Sequence, residues 1–327
     1  MKAITYRAYG TPDVLKVENV LTPTPKDDEV CIRVHAAEAT KSDCELRSFH
    51  FPVKWFWLPL RLFLGVFKPR KPILGGYFAG EVVSVGDKVT RFKPGDRLFG
   101  STQFRLGAYG EYLCLPAHYT LVRVPDTLSS EEAAAVPLGG LNALHFMSRA
   151  NIKPGDKVLI NGAGGSIGSF AVQIAKSMGA EVTAVDAGFK ETRLRGIGAD
   201  HFIDYTHTDP TRQGLTYDVI FNMVAQSEYP AWVQLLNDTG YYLIGNPRLS
   251  DMLRAALTNR FTRKKAVLSL AGEKQEELET LSDMIEAGAI KPLMDSIYPM
   301  QEAPEAHRRV ETEQRVGCVV ISMRRNT

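Results

Sequence analysis

A glycine-rich turn between an apolar strand and a helix is the part of this sequence best suited to chemistry. Residues 157–161 (KVLIN) predict a buried strand, and residues 166–178 predict an amphipathic helix. A turn built from glycine lets backbone N–H groups approach an anion, and the positive end of the following helix attracts that anion. The spacing Gly162-x-x-Gly165-x-x-Gly168 therefore predicts a site for the diphosphate of a dinucleotide. The residues expected around it are Gly162, Ala163, Gly164, Gly165, Ser166 and Ile167.

An acidic residue follows the turn at the distance that such a site requires. Asp186 ends the next predicted strand, residues 181–186, about 20 residues beyond the turn. A carboxylate there would hydrogen-bond the 2′-hydroxyl of an adenosine ribose and repel a 2′-phosphate, which favours NAD(H). Lys190 and Arg193 could instead supply positive charge for NADP(H), or Asp186 could simply cap the next helix. The choice between NAD(H) and NADP(H) stays open.

The elements on either side of the turn indicate two domains. Short alternating segments such as 30–36 and 80–86 predict an antiparallel β-rich domain in the first third of the chain. Beyond residue 124, strands alternate with helices, which predicts a doubly wound parallel sheet. A helix at 273–287 and a strand at 317–322 are expected to return to the β-rich domain. We therefore predict domains at 1–123 with 266–327 and at 124–265.

Composition excludes several classes of function. The 327 residues carry 39 Lys+Arg and 37 Asp+Glu, a net charge of +2, which argues against nucleic-acid binding. The four cysteines form no C-x-x-C pair, which argues against a zinc ribbon or a disulfide scaffold. The apolar stretch 51–67 is shorter than the roughly 20 residues of a spanning helix and contains Lys54, Pro59 and Arg61. Because the first nine residues also resemble a strand more than a signal peptide, we expect a cytoplasmic protein without an integral membrane segment.

Motifs along nearly the whole chain resemble the medium-chain dehydrogenase/reductase superfamily, specifically its zinc-free quinone oxidoreductase branch. They include residues 75–86 (GGYFAGEVVSVG), 92–96 (FKPGD), 133–137 (AAAVP) and 198–205 (GADHFIDY). The signature of the branch at the glycine turn is matched except at Ser166, where it has glycine. The resemblance implies a GroES-like substrate domain, a Rossmann domain and a homodimer.

The same resemblance implies that no zinc is bound. Zinc alcohol dehydrogenases of the superfamily carry a Cys and a Gly-His-Glu where this chain has Lys41 and Gly76-Tyr77-Phe78. These side chains do not replace a thiolate or an imidazole as zinc ligands. Hydride transfer to a quinone or enone needs no metal, because the conjugated acceptor itself delocalises the developing charge.

The resemblance also supplies candidates around the acceptor, namely Thr40, Asp43, Arg47 and Tyr77. Thr40 stands where the branch has Asn, Asp43 and Arg47 match it, and Glu45 stands where it has Tyr. Glu45 can replace a phenol near neutral pH only if its pKa is strongly raised. Tyr77, at the lost zinc-ligand position, is a candidate proton donor or an aromatic packing residue.

Further residues are expected to surround the coenzyme. Lys190 and Tyr205 match residues that hold the 2′-phosphate in NADP-using relatives, and Asn142 stands where relatives have Thr beside the nicotinamide. The nicotinamide half is expected at the carboxyl ends of later strands, beside Val224, Ala225, Gly245 and Asn246.

Residues 51–67 are longer and more aromatic than is usual for the branch. They predict a lid over a hydrophobic acceptor or a surface for a membrane or partner. Alternatively, Trp57, Leu60 and Leu64 form a helix face that packs on the β-rich domain.

The function implied is an NAD(P)H-dependent, zinc-independent reductase of a small apolar quinone or α,β-unsaturated carbonyl. Two alternatives stay open. One is an NAD(P)-binding protein with little turnover, because Thr40 and Glu45 replace polar groups of the branch. The other is a metal-free alcohol dehydrogenase.

Overall fold

The computed structural model describes residues 1–51, 57–225, 227–269 and 272–324. The chain forms two compact units. The first contains Met1–Leu138, Glu273–Glu286 and Met294–Thr327, and the second contains Gly139–Gly272 and Ala287–Leu293.

The elements are numbered along the chain. The strands are β1 (Lys2–Tyr6), β2 (Leu15–Asn19), β3 (Glu29–Ala39), β4 (Tyr77–Val85), β5 (Arg97–Ser101), β6 (Tyr112–Pro116), β7 (Leu121–Arg123), β8 (Lys157–Asn161), β9 (Glu181–Asp186), β10 (His201–Asp204), β11 (Tyr217–Asn222), β12 (Leu236–Ile244), β13 (Lys265–Leu268), β14 (Met294–Pro299) and β15 (Cys318–Ser322). The helices are α1 (Lys41–Ser48), α2 (Trp57–Leu64), α3 (Ser130–Ala134), α4 (Val136–Met147), α5 (Ser166–Ser177), α6 (Glu191–Gly196), α7 (Tyr229–Gln234), α8 (Leu249–Phe261), α9 (Gln275–Glu286) and α10 (Ala303–Glu311).

The second unit confirms the predicted doubly wound sheet. Its six strands are parallel and lie in the order β10-β9-β8-β11-β12-β13. Counted within the unit, this is the order 3-2-1-4-5-6 of a Rossmann fold. The order reverses between β8 and β11, and ligands bind such sheets at the carboxyl ends of the strands beside this point. The glycine turn follows β8 and therefore lies at the expected place.

The first unit is built on a sheet in the order β14-β15-β3-β4-β5-β7, with β6 also paired to β3. Its pairs are antiparallel except that β14 runs parallel to β15. Residues 108–116 (AYGEYLCLP) predict a strand, but the strand begins only at Tyr112, because a turn with Gly107 at φ +109° precedes it. The helix and strand expected to return to this unit are α9 and β15.

The unit boundaries differ from the predicted domain limits. The first unit extends to Leu138 rather than 123, because α3 packs on β3 and β4. Ser129 followed three residues later by Glu132 predicts a capping box at the start of α3. It is present: Glu132 N–H donates to the Ser129 hydroxyl at 3.1 Å, and Ser129 N–H donates to the Glu132 carboxylate at 3.0 Å. The second unit keeps residues 266–272, because β13 pairs with β12. The sequence of residues 266–270 predicts this strand, and the last of them, Leu270, lies outside the described residues.

The aromatic stretch at 51–67 contributes α2, while its residues 52–56 lie outside the described residues. Leu64 is buried against Phe49 and Phe51, and Leu60 is half-buried beside them. Trp57 remains largely exposed. One side of α2 therefore packs on the first unit, as the packing alternative predicts. Another side, with Leu58 and Leu62, is exposed to solvent. Among the described helices, none has the length and apolar character of a membrane span.

Candidate functional site

The glycine turn holds α5 directly against the end of β8. Gly162 has φ +85°, a conformation that favours glycine, and the N–H groups of Gly162 and Ala163 both donate to Val185 O, at 3.0 and 3.2 Å. A Cβ on Gly168 would lie 2.2 Å from Gly162 O. Glycine at 168 is therefore required for this close packing.

The start of α5 is suited to bind an anion. Gly165 is the N-cap, and no side chain caps the helix there. The N–H groups in the first turn of any helix point away from the helix body toward its start, and the helix dipole adds positive potential there. A Cβ on Gly165 would approach nothing closer than Gly162 O at 3.7 Å, so the space beside it is open. These features fit a diphosphate.

Asp186 ties the turn to the end of β9. Its Oδ2 accepts from Gly164 N–H at 2.7 Å, and its Oδ1 accepts from Ala187 N–H at 2.8 Å. The Lys190 Nζ lies 2.8 Å from the same Oδ1, and each of the two side chains is only 7% exposed. A carboxylate has about four lone-pair sites, so about one remains for a ribose hydroxyl.

Tyr205 and Asn142 approach this region from two other elements. Tyr205 follows β10; its backbone N–H donates to Asp186 O at 3.3 Å and its side chain is exposed. On α4, a Cβ on Gly139 would lie 2.7 Å from Ser166 O, so this helix packs against the start of α5. Asn142 lies three residues further on the same helix face. Sequence reasoning did not single out Gly139.

The residues predicted for the nicotinamide half lie on the loop after β11 and on the segment after β12 that contacts it. A Cβ on Gly162 would lie 3.3 Å from Val224 Cγ2, and one on Gly245 would lie 2.5 Å from Met223 Sδ. Asn246 Nδ2 donates to Met223 O at 3.1 Å. The structure thus brings Gly162, Val224, Gly245 and Asn246 to one end of the sheet.

Two buried amides hold this loop in place, and Ala225 is the half-buried turn residue that follows. Asn161 Nδ2 donates to Asn222 Oδ1 at 3.0 Å, and Val224 N–H donates to the same oxygen at 3.1 Å. Asn222 Nδ2 donates to the Tyr242 hydroxyl at 2.9 Å. Asn222 therefore links the ends of β8 and β12 to the loop.

In the first unit, Thr40 and Asp43 form the N-terminal capping box of α1. The Thr40 hydroxyl donates to Asp43 Oδ2 at 2.6 Å and accepts from Asp43 N–H at 3.0 Å. Asp43 Oδ1 accepts from Gly75 N–H at 3.0 Å. Burial raises the pKa of Asp43, while its hydrogen bonds with Thr40 and Gly75 oppose the shift. Both side chains are buried, so their contacts position α1 against the segment before β4.

Arg47 is likewise enclosed by the first unit. Its Nε donates to Gly10 O at 3.1 Å, its Nη1 lies 3.3 Å from His307 Nδ1, and its Nη2 pairs with Glu311. The Tyr109 hydroxyl lies 3.0 Å from His307 Nε2. Burial, with Arg47 nearby, lowers the pKa of His307 to about 3, so this histidine is neutral. With a side chain 1% exposed, Arg47 joins α1 to α10 and has little surface to offer an acceptor.

Among the residues predicted around the acceptor, Tyr77 has hydrogen bonds that bear on proton transfer. Its hydroxyl donates to Glu273 Oε1 at 2.7 Å, and Ser101 Oγ donates to Glu273 Oε2 at 2.7 Å. The Thr120 hydroxyl donates to the backbone oxygen of Glu273, which has φ +43°. Burial, followed by the Glu273 carboxylate, holds the pKa of Tyr77 well above 10. The phenol therefore keeps its proton at neutral pH.

The pKa of Glu45 is raised, as its replacement of a phenol near neutral pH would require. Its carboxyl is half-buried on α1, and burial raises its pKa to about 7, with Lys41 opposing and Glu313 adding to the shift. A carboxyl with this pKa holds a proton for part of the time near neutrality. A cavity of about 440 Å³ lies at the other end of α1, lined by Phe49, His50, Phe51 and Trp57.

Comparison with known proteins assigns the family. Residues 26–126 match the alcohol dehydrogenase GroES-like domain and residues 197–321 match the zinc-binding dehydrogenase family. The chain is 31% identical to the 2-methylene-furan-3-one reductase of Solanum lycopersicum, over 98% of the chain and 79% of that protein. It is 30% identical to the quinone oxidoreductase of Sus scrofa, over 95% of the chain and 94% of that protein. The solved quinone oxidoreductase of Coxiella burnetii superposes with a TM-score of 0.87 at 27% identity, over 99% of each chain.

The chain belongs to the zinc-free quinone oxidoreductase branch of the medium-chain dehydrogenase/reductase superfamily. The predicted family and the GroES-like and Rossmann folds are thereby confirmed. At the positions where zinc-dependent members of the superfamily have ligands, Lys41 pairs with Glu313, and Tyr77 contacts Glu273. Within the described residues, no three His, Cys, Asp or Glu side chains are grouped as metal ligands. That the protein works without zinc stays a prediction.

Two residues of these sites gave no signal in the sequence. Gly139 stood in an apolar helix without a local sign of its role. Glu273 lies 196 residues from Tyr77, so no local pattern could join the two.

Proposed function

We propose that this chain is an NAD(P)H-dependent oxidoreductase that reduces quinones or α,β-unsaturated carbonyls by hydride transfer. The observation that carries the proposal is the open start of α5 behind the glycine turn, with Asp186 fixed beside it. Its relatives, named as quinone and enone reductases over nearly the whole chain, support the acceptor class.

The residues present fit a nicotinamide coenzyme. When bound, the coenzyme supplies the hydride. The first turn of α5 would hold the diphosphate, and Asp186 would orient the adenosine ribose. Val224 after β11, with Gly245 and Asn246 after β12, would flank the nicotinamide half. Asp186 supports NADH over NADPH, because its carboxylate already neutralises Lys190 and would repel a 2′-phosphate.

The acceptor must also receive a proton once the hydride has arrived. Tyr77 keeps its proton at neutral pH and is the proposed donor, with Glu273 orienting it. Because its raised pKa makes it a weak acid, it would release the proton only to a strong base such as the enolate that hydride addition forms. Glu45, with a pKa of about 7, is another group of the first unit that holds a proton for part of the time at neutral pH. The buried Asp43 and Arg47 are proposed to position α1, and Thr40 to cap it.

Turnover with purified protein tests the proposal. We expect oxidation of NADH or NADPH when a naphthoquinone or a simple enone is added, and no loss of rate after dialysis against EDTA. Coenzyme binding without turnover across a panel of acceptors would favour a binding protein. Reduction of NAD(P)+ by alcohols would favour an alcohol dehydrogenase. Stoichiometric zinc would contradict the metal-free chemistry.

The aromatic cavity beside α1 is proposed to hold the acceptor ring. Phe49, Phe51 and Trp57 give it apolar walls, which suits a quinone or enone more than a polar alcohol. We expect Trp57→Ala to raise the KM for naphthoquinone. The homodimer and the cytoplasmic location are also proposals, to be tested by light scattering and by fractionation.

A further inference from the structure

Helix α8 carries a stripe of large apolar side chains that faces solvent. Its members are Leu249, Leu253, Leu257 and Phe261, and their exposed fractions are 55, 70, 57 and 76%. Residues four apart lie about 40° apart around a helix, so the stripe spans about 120°. This is the width of the apolar face that a helix ordinarily buries in a protein core.

The opposite side of α8 is the one that packs on the second unit. Ala255 is buried in the cluster that includes Tyr242 and Ala266. Asn259 bonds Ala266 in both directions: Nδ2 donates to its oxygen at 2.9 Å, and Oδ1 accepts from its N–H at 2.7 Å. The Tyr229 hydroxyl donates to Thr258 Oγ1 at 2.9 Å. These contacts fix the rotation of the helix, so the stripe cannot turn inward without breaking them.

The charged residues around the stripe are predominantly basic. Between positions 248 and 265 the chain has six basic residues and one acidic residue. The acid, Asp251, is buried and is bridged by Arg248 at 3.1 Å and by Arg254 at 3.8 Å. Arg260 and Arg263 are exposed at the end of the helix. The whole chain has a net charge of only +2, so positive charge is concentrated here.

We infer that α8 is an interfacial helix that docks this protein on an anionic lipid surface. An apolar stripe about four turns long can enter the boundary between head groups and acyl chains, while arginines and lysines beside it remain at the lipid phosphates. A second copy of the chain fits this face less well. A two-fold contact would bring the same positive surface of each copy together.

Vesicle binding by the full-length protein tests the inference. Vesicles of phosphatidylcholine alone are compared with vesicles containing about 30 mol% phosphatidylglycerol. We expect the protein to float with the anionic vesicles, and at least tenfold less to float with the neutral ones. Raising the salt to about 0.5 M should release much of it, because screening weakens the attraction of the basic residues.

Two double variants separate the contributions of the stripe and of the charge. Leu253→Ser/Leu257→Ser and Arg260→Gln/Arg263→Gln should each lower the bound fraction at least tenfold. Leu215→Ser and Arg212→Gln change exposed residues of the same unit outside α8 and should leave it within twofold. All four substituted positions of the double variants are exposed, so the thermal melting temperature should stay close to that of the wild type.

Three results would overturn the inference. One is absence of binding to the anionic vesicles, and another is equal binding by the Leu253→Ser/Leu257→Ser variant. The third is evidence, in the absence of vesicle binding, that the stripe contacts a second copy of the chain or the acceptor. Self-association that this variant abolishes would assign the face to a second copy, and a raised KM for the acceptor would assign it to the acceptor site.

Discussion

The Asp186 carboxylate and the Lys190 ammonium form a buried ion pair, with 2.8 Å between Oδ1 and Nζ. The same carboxylate accepts the Gly164 N–H at 2.7 Å, so one side chain fixes the glycine turn and neutralises the nearest lysine. The basic residue that the sequence offered to a 2′-phosphate is therefore already paired. We predict that the choice between NADH and NADPH depends on this pair.

Removing the carboxylate should shift the preference toward NADPH. In Asp186→Ser the Lys190 amine loses its partner and no carboxylate repels a phosphate, so we expect the ratio of NADPH to NADH affinity to rise at least tenfold. Fluorescence titration with both coenzymes measures this ratio. Adding Lys190→Met to the variant should abolish the gain. An unchanged ratio in Asp186→Ser would show that the pair has no part in the choice.

Two glycines of the turn should have separable effects. Gly168→Ala places a methyl group 2.2 Å from Gly162 O, and we expect a loss of about 1–3 kcal/mol in the free energy of unfolding. Gly165→Ser adopts the extended N-cap conformation already present, φ −81° and ψ 174°, and supplies a favourable cap. Its side chain occupies the open space, so we expect unchanged stability and at least tenfold weaker coenzyme binding. Denaturant unfolding and fluorescence titration measure the two effects. Full affinity in Gly165→Ser would place the diphosphate elsewhere.

Tyr77 and Glu273 should act as a pair in turnover and in stability. Tyr77→Phe removes the proton and keeps the ring, so we expect kcat with an enone to fall at least tenfold while KM changes little. Tyr112→Phe makes the same change on β6 and should leave kcat unaltered. Glu273→Ala leaves the hydroxyls of Tyr77 and Ser101 without their acceptor, at a cost of about 1–3 kcal/mol in unfolding free energy. A wild-type kcat in Tyr77→Phe would remove this residue from the reaction.

Glu45 should make the stability of the protein depend on pH. Burial raises its pKa from 4.5 to about 7, so the folded protein binds this proton more tightly than the unfolded chain does. The resulting stabilisation is complete below about pH 4.5 and is lost as the pH rises toward 7. We expect Glu45→Gln to flatten this part of the profile in denaturant unfolding, while the exposed Glu276→Gln leaves it unchanged. Identical profiles for wild type and Glu45→Gln would mean that the carboxyl titrates normally.

Much of the coenzyme site could be predicted from the sequence because it is encoded locally. Glycines at fixed spacing between a strand and a helix limit what the backbone can do, and the alternation of strands and helices dictates a parallel sheet. Asp186 and the Val224 loop then follow from the rule that parallel strands end at the same edge.

The first unit shows where such reasoning stops. Arg47 and His307 are 260 residues apart in the chain, and Tyr77 and Glu273 are 196 apart, yet each pair is in contact. Family likeness nominated Asp43 and Arg47 as residues at the acceptor, which stays a prediction. Their contacts with Gly75 and Gly10, which hold α1 in place, could not be predicted from the sequence.

The sequence by itself determined the parallel sheet, the glycine turn and the acid beside it, because each depends on neighbours within strand-turn-helix units. Only the tertiary structure decided that Lys190 is already paired, that Tyr77 donates to Glu273 and that the stripe on α8 remains uncovered. Those outcomes depend on which distant segments pack together, and burial then sets which charges are neutralised and which apolar faces are left to solvent.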